Sequence, residues 1–159
     1  MSDAASGKIK VFIDCDNSMG LEGKPMDDAL AILYLMGSSD EAEIVGIGCN
    51  YGNASAADCF ECTKQLLKET GREDIPLVIG NEPGMTGLMS PAAEFIVSMA
   101  NDAPGEISYL SIGSLGNLYE ACITDPSLPD KIPQLVMMGG ITEPLFIHEI
   151  GRASCRERV

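Results

Sequence analysis

The sequence contains no tryptophan, one histidine and few basic residues. Lys and Arg total 10 against 24 Asp and Glu, so the formal net charge at pH 7 is −14. So acidic a chain is repelled by nucleic-acid backbones and by anionic membrane surfaces, which argues against both as partners. It is compatible with a site that concentrates cations.

Long apolar runs are also missing. No run approaches 18 apolar residues, so no transmembrane helix is predicted, and Met1–Lys10 lacks the apolar stretch of a signal peptide. We therefore expect a cytoplasmic protein without a membrane partner. A chain of 159 residues corresponds to one domain and buries about 68–70% of its unfolded surface.

The six cysteines do not indicate disulfides, because nothing points to secretion. Cys15 and Cys49 end apolar, strand-like runs, where a free thiol acts as a small hydrophobic side chain. Cys59 and Cys62 form a CxxC pattern, but inside a helical segment with no second pair of ligands. We expect them to pack in the helix rather than bind zinc or act in redox chemistry.

The end of the chain departs from this pattern. Ile150–Val159 (IGRASCRERV) carries three Arg and shows neither helical nor strand periodicity. It back-translates without a break to a sequence that resembles a widely used short-read sequencing adapter. We therefore interpret residues 149–159 as an artefactual tail, residues 1–8 as a flexible N-terminus and residues 9–148 as the domain, and we expect the natural frame to continue beyond His148.

Apolar strand-like runs alternate with helical patterns. Strands are predicted at Lys8–Asp14, Ala42–Cys49, Ile75–Ile79, Ile107–Ile112 and Gln134–Met138. Helices are predicted at Asp27–Met36, Ser55–Thr70, from Ser90-Pro91 onward, and Leu118–Thr124. This alternation predicts an α/β fold, a Rossmann-like open, mainly parallel sheet with helices on both faces, truncated after about five strands.

Ligands of such sheets bind beyond the carboxyl ends of the strands. That rule selects Asp14 and Asp16, Asn50 and Asn53, Gly113–Asn117 and Met138–Gly140.

The acidic residues of the first selected segment form a pattern of their own. Asp14 and Asp16 follow the first strand, and Asp27 and Asp28 open the next helix after a Gly-containing loop. Four carboxylates converging at one strand end would repel each other unless a cation lies among them. Carboxylate and carbonyl oxygens suit Ca²⁺ or Mg²⁺. In the alternative, Asp27 and Asp28 only cap the helix, which leaves the Asp14-x-Asp16 pattern unexplained.

Five segments resemble, in order, the motifs of the inosine-uridine preferring nucleoside hydrolases. They are VFIDCDN with DDALAILYL (11–17 and 27–35), YGNAS (51–55), GREDIPLVIG (71–80), SIGSLGNL (111–118) and LVMMGG (135–140). The resemblance implies hydrolysis of the N-glycosidic bond of a ribonucleoside to free base and ribose, with a Ca²⁺ ion that holds a water and the ribose hydroxyls.

The resemblance also implies roles for single residues. Asp16 would be a metal ligand and the general base, Asp28 a second metal ligand, and Gly116 a ligand through its backbone carbonyl. Asp14 would support the cluster.

The substrate would meet a second set of residues. Asp27 and Asn53 would bind the ribose, and Asn117 and Met138 would lie near the pocket.

The chain also departs from the family pattern. Ten residues, Asn17–Met26, separate the second Asp from the double Asp, where the compact form has three. The family's later half, with a further Asp ligand and base-contacting residues, is missing, and His148 does not match its histidine. We therefore expect this chain to have little activity and base preference to be undetermined by it. The full-length protein is compatible with a homo-oligomer.

Two other functions remain open from the sequence. A phosphatase resembling the haloacid dehalogenases also places DxD after a first parallel strand and uses Mg²⁺, but the double Asp and the lack of a convincing later Lys motif argue against it. A non-catalytic fragment that binds a nucleoside or sugar would keep the acidic cluster and bind metal weakly.

Overall fold

The structure is a computed structural model of the chain and describes residues 7–85 and 88–139. The tail predicted at 149–159, His148 and most of the N-terminus predicted to be flexible lie outside the described residues. None of the helices within the described ranges is long and apolar enough to cross a membrane.

Strands and helices follow one another along the chain. The strands are β1 (Ile9–Cys15), β2 (Ala42–Cys49), β3 (Leu77–Ile79), β4 (Ile107–Ser111) and β5 (Leu135–Met137). The helices are α1 (Asp27–Gly37), α2 (Ala56–Glu69), α3 (Pro91–Asp102), α4 (Gly116–Thr124) and α5 (Leu128–Lys131). The predicted strands and helices are confirmed with ends shifted by at most two residues, whereas the short helix α5 was not predicted.

Helix ends follow the expected capping chemistry. The Ser55 hydroxyl accepts a hydrogen bond from the Asp58 N–H at 3.0 Å, and the Ser90 hydroxyl accepts one from the Ala93 N–H at 3.2 Å. Gly71 follows α2 with a φ of 67°, a conformation that glycine adopts without strain. The sequence therefore specifies where α2 and α3 begin and where α2 ends.

The five strands form one parallel sheet in the order β3-β2-β1-β4-β5. The chain builds β2 and β3 on one side of β1 and then crosses to place β4 and β5 on the other. The carboxyl end of β1 is therefore a topological switch point, where open α/β sheets bind ligands. The predicted fold class is confirmed.

Two apolar cores cover the two faces of the sheet. On one face Val11, Ile13 and Cys15 pack with residues of α1 and α2, and on the other Phe12 and Tyr109 pack with residues of α3, α4 and α5. The Phe12 ring lies over β2, where the missing side chains of two glycines leave room for it. A Cβ at Gly46 would lie 3.2 Å from Phe12 Cδ2, and one at Gly48 would lie 3.0 Å from Phe12 Cζ.

Cys15, Cys49 and Cys59 pack in the core as predicted. Cys15, Cys49 and Cys59 are buried free thiols in the first core, and Cys62 is a half-buried free thiol. Burial raises the pKa of Cys59 to about 12, so its thiol stays protonated at neutral pH. A protonated, buried thiol is an inert packing group.

Truncating a side chain in the second core should destabilise the fold. Ile96 of α3 is fully buried, so Ile96→Ala is expected to lower the free energy of unfolding by about 2–5 kcal/mol through lost burial and a residual cavity. The matched control is Ile123→Ala, because Ile123 of α4 is 52% exposed, and it should shift stability by about 0.5 kcal/mol or less. Urea denaturation measures both, and equal shifts in the two variants would contradict the assignment of this core.

Candidate active site at the carboxyl end of the central strand

The loop between β1 and α1 folds back on itself. The Ser18 hydroxyl donates a hydrogen bond to the Pro25 carbonyl at 2.9 Å, and the Leu21 N–H bonds the Ser18 carbonyl at 3.1 Å. Gly20 and Gly23 turn the chain with φ values of 99° and 71°. The ten-residue loop therefore returns α1 to the end of β1, despite its length.

Asp16, Asp28 and Asn53 come together beyond the end of β1. The Asp16 N–H donates a hydrogen bond to Asp28 Oδ2 at 2.9 Å. The Asn53 N–H donates to Asp16 Oδ2 at 2.8 Å, and Asn53 Nδ2 donates to Asp16 Oδ1 at 3.2 Å. Both carboxylates are more than nine-tenths buried. A Cβ at Gly52 would overlap the Asp16 carboxylate, so glycine permits this close approach.

The electrostatics of this pair favour a cation. Burial, and then the neighbouring Asp16 carboxylate, raises the pKa of Asp28 to about 8. Two adjacent carboxylates match a hard divalent cation, since a positive charge there would offset both their mutual repulsion and the cost of burying them. The donor set therefore fits the implied metal.

The donor set of the chain is nevertheless partial. Within residues 7–85 and 88–139, no group of three or more His, Cys, Asp or Glu side chains is close enough to hold a metal ion. Two carboxylates fall short of the roughly six to eight oxygen ligands that Ca²⁺ takes. Further ligands have to come from backbone carbonyls, water, substrate or other residues.

Asp14 does not join this pair, because protein donors occupy both of its carboxylate oxygens. Its Oδ1 accepts hydrogen bonds from Asn50 Nδ2 and Asn117 Nδ2, each at 2.8 Å, and its Oδ2 accepts one from the Tyr109 hydroxyl at 2.7 Å. Burial raises the pKa of Asp14 to about 7, while the three hydrogen bonds oppose that rise. Asp14 thus connects β1 with β4, α4 and the end of β2.

The expected convergence of four carboxylates is not met in the part of the chain that the structure describes. Asp28 faces the site, but Asp27 is exposed, because consecutive helical residues point about 100° apart. The Asp14 oxygens are already occupied by Asn50, Tyr109 and Asn117. Only two of the four acids therefore form the pair.

Gly116 and Met138 lie on the other side of β1. Gly116 is buried and begins α4, where the Leu115 carbonyl accepts a hydrogen bond from the Tyr119 N–H at 2.9 Å. The Gly116 carbonyl takes the next place in that helical series, which leaves its second lone pair available. Met138 follows β5, its N–H bonds the Ser111 carbonyl at 2.8 Å, and its side chain is exposed.

Sequence reasoning selected Asn50 and Ser114 only by their positions after strands, and it did not single out Tyr109. Asn50 was signalled only by its position after a strand, and Tyr109 lies within an apolar strand whose inward positions resemble ordinary core. The Ser114 hydroxyl is buried and has no hydrogen-bond partner among the described residues. A buried tyrosine hydroxyl usually has a hydrogen-bond partner, so a tyrosine at an inward strand position was the one available sign of a buried polar group nearby.

Removing the Tyr109 hydroxyl should lower the stability of the fold, because Asp14 loses one of its hydrogen-bond donors. Tyr109→Phe deletes the buried 2.7 Å hydrogen bond to Asp14 and is expected to lower the free energy of unfolding by about 1–3 kcal/mol. Tyr119→Phe is the matched control, because Tyr119 is 51% exposed. Chemical denaturation at pH 7 measures both variants, and a Tyr109→Phe protein as stable as the control would show that the hydroxyl is dispensable.

Known proteins resemble the chain in sequence. The family model of inosine-uridine preferring nucleoside hydrolases matches residues 11–152. Uridine nucleosidase 1 of Arabidopsis thaliana is 30% identical to the chain, with 82% of the chain and 45% of that protein covered. The chain spans about half the length of the curated relatives it matches.

Solved structures resemble the chain in fold. The plant nucleoside hydrolase PpNRh1 is 25% identical, with a TM-score of 0.73 over 85% of the chain and 49% of that protein. A purine-preferring ribonucleoside hydrolase from Gardnerella vaginalis has a TM-score of 0.70 at 22% identity over 83% of the chain and 49% of that protein, a likeness of fold alone. Together with the matched family model, these comparisons show that the chain belongs to the inosine-uridine preferring nucleoside hydrolase family.

Proposed function

We propose that this chain supplies the cation-binding part of a nucleoside N-ribohydrolase, which hydrolyses a ribonucleoside to free base and ribose. The observation that carries the proposal is the cluster of Asp16, Asp28 and Asn53 at the switch point of the sheet. Family membership supports the reaction class, and one relative is named a uridine nucleosidase. The substrate is a small ribonucleoside.

The cation of this proposal is Ca²⁺. Asp16 and Asp28 would hold it through their carboxylates and Gly116 through its backbone carbonyl, all of them hard oxygen ligands. When bound, Ca²⁺ supplies a positive charge that lowers the pKa of water and attracts the ribose hydroxyls.

Asp16 is the proposed general base. Asn53 donates to both Asp16 oxygens, at 2.8 and 3.2 Å, and so fixes the direction in which the carboxylate faces. A carboxylate held in this way can accept a proton from the attacking water. As the base departs, positive charge develops on the ribose, and a nearby carboxylate stabilises that charge.

The remaining residues position the substrate. Asp27 is exposed at the start of α1 and is free of the Asp16–Asp28 pair, so its carboxylate can accept hydrogen bonds from ribose hydroxyls. Asn53 would contact the same sugar. Asn117 and Met138 would line the pocket, and Asp14 supports Asn117 by accepting a hydrogen bond from its amide.

The proposed enzyme extends beyond this chain. Because the chain spans about half of its relatives, we propose that residues 9–148 are the N-terminal part of the nucleoside hydrolase domain. Further metal ligands and the groups that select the base would come from the other part. The full-length protein would act in the cytoplasm and is compatible with a homo-oligomer.

Calcium titration tests the cation. We expect the chain to bind Ca²⁺ weakly by isothermal calorimetry, and Asp16→Asn or Asp28→Asn to weaken binding by roughly tenfold or more, since even outer-shell partners contribute about 10–100-fold. Asp40→Asn is the matched control at an exposed position and should bind like the native chain. Native-like binding by Asp16→Asn and Asp28→Asn would remove these residues from the metal site.

Release of ribose tests the reaction. The 159-residue chain is expected to show little or no hydrolysis of uridine or inosine, whereas the product of its full-length gene should release ribose with Ca²⁺ and lose activity with a calcium chelator. Normal turnover by the 159-residue chain would contradict the proposed division of the site. Hydrolysis of p-nitrophenyl phosphate without nucleoside hydrolysis would instead support a phosphatase.

A further inference from the structure

The Asn50 side chain crosses from the end of β2 to the loop after β4. Its Nδ2 donates hydrogen bonds to Asp14 Oδ1 at 2.8 Å and to the Ser114 carbonyl at 2.9 Å. Its Oδ1 accepts a hydrogen bond from the Ser114 N–H at 3.1 Å. Asn50 is 1% exposed. One buried amide therefore binds both backbone groups of Ser114 and a buried carboxylate.

This contact connects the chain after β2 with the chain after β4, beyond the last residue of each strand. The Ile112 and Gly113 N–H groups bond the Asp14 carbonyl at 2.8 and 3.3 Å, but Ser114 lies beyond these backbone hydrogen bonds. The Ser114 hydroxyl has no hydrogen-bond partner in the described part of the chain, and both backbone groups of Ser114 bond the Asn50 side chain. Within the Gly113–Gly116 loop, Ser114 is thus held by the Asn50 side chain.

The loop lies close to the Asp16 backbone. A Cβ at Gly113 would be 2.6 Å from Asn50 Oδ1 and 2.8 Å from the Asp16 nitrogen, which leaves no room for another residue type. Two residues after Ser114, α4 begins with Gly116 and Asn117. A displacement of Ser114 would therefore shift the loop both where it packs against Asp16 and where it leads into Gly116.

We propose that Asn50 is a positioning residue of the nucleoside site: it fixes the Gly113–Gly116 loop against the end of β1, and through that loop it sets the Gly116 carbonyl for the cation. The inference rests on the proposed function for its metal part, whereas the position of the loop can be measured without metal. Asparagine suits this role because one planar amide carries both donors and an acceptor.

The test compares Asn50→Leu with Thr63→Val in the 159-residue chain. Leucine has a similar size and no polar atoms, so it removes all three hydrogen bonds. Thr63 is equally buried in α2, where its hydroxyl bonds Asn17 and the Cys59 carbonyl, so Thr63→Val matches the loss of buried polar contacts at a position that does not contact the loop.

Two readouts distinguish positioning from general stability. We expect the Ser114 amide of Asn50→Leu to exchange with deuterium about 5–30-fold faster than in Thr63→Val, since a local hydrogen bond is lost. Calcium affinity should fall by about 10–100-fold in Asn50→Leu alone. With Tb³⁺ in place of Ca²⁺, the luminescence lifetime should report an additional bound water, because the Gly116 carbonyl is displaced.

Asn50→Ala provides a second variant if Asn50→Leu does not fold. It also removes all three hydrogen bonds but leaves space for water beside Asp14, so faster Ser114 exchange and lower calcium affinity are expected together.

The outcomes separate this inference from the proposed function. Unchanged Ser114 exchange in Asn50→Leu relative to Thr63→Val overturns the loop-positioning role, and unchanged calcium affinity with faster exchange overturns its link to the cation. If the native chain and the full-length gene product bind neither Ca²⁺ nor Tb³⁺, the proposed function fails, and the metal part of this inference fails with it. The exchange measurement still decides whether Asn50 holds the loop.

Discussion

The hydrogen bonds to the buried carboxylate of Asp14 are the interactions on which the site depends. This carboxylate lies in the central strand and accepts hydrogen bonds from the end of β2, from β4 and from α4 through Asn50, Tyr109 and Asn117. A buried carboxyl group without partners destabilises a protein strongly, so these donors are required wherever the strand places Asp14. The same requirement draws the segments on both sides of β1 to one point.

The Asp16–Asp28 pair differs from Asp14 in that its charge is less fully balanced by protein groups. Asp28 receives a hydrogen bond from the Asp16 N–H, and Asp16 receives two from Asn53, but no described Lys or Arg forms an ion pair with either carboxylate. The four ion pairs among the described residues lie elsewhere. The three acids at the carboxyl end of β1 therefore differ in their partners. Asp14 is satisfied by protein donors, whereas the Asp16–Asp28 pair is the proposed cation site.

Much of this arrangement was predictable from the sequence. Strand runs and caps such as Ser55 and Ser90 are local signals, so elements were located to within two residues. The meeting of Asp16 with Asn53 followed from the rule that parallel strands end at one edge of the sheet. The short helix α5 escaped prediction because four residues carry too little periodicity to indicate a helix. Sequence also grouped four acids that the structure divides between separate positions.

The sequence by itself determined the alternation of strands and helices, the parallel sheet and the edge where the candidate site lies, because periodicity and capping act within a few residues. Tertiary structure alone decided which polar atoms face each other. Asn50 meets Ser114 across 64 positions of the chain and Tyr109 meets Asp14 across 95, distances over which no local pattern carries information. Side-chain direction at the end of β1 depends on neighbours that only the folded sheet brings together.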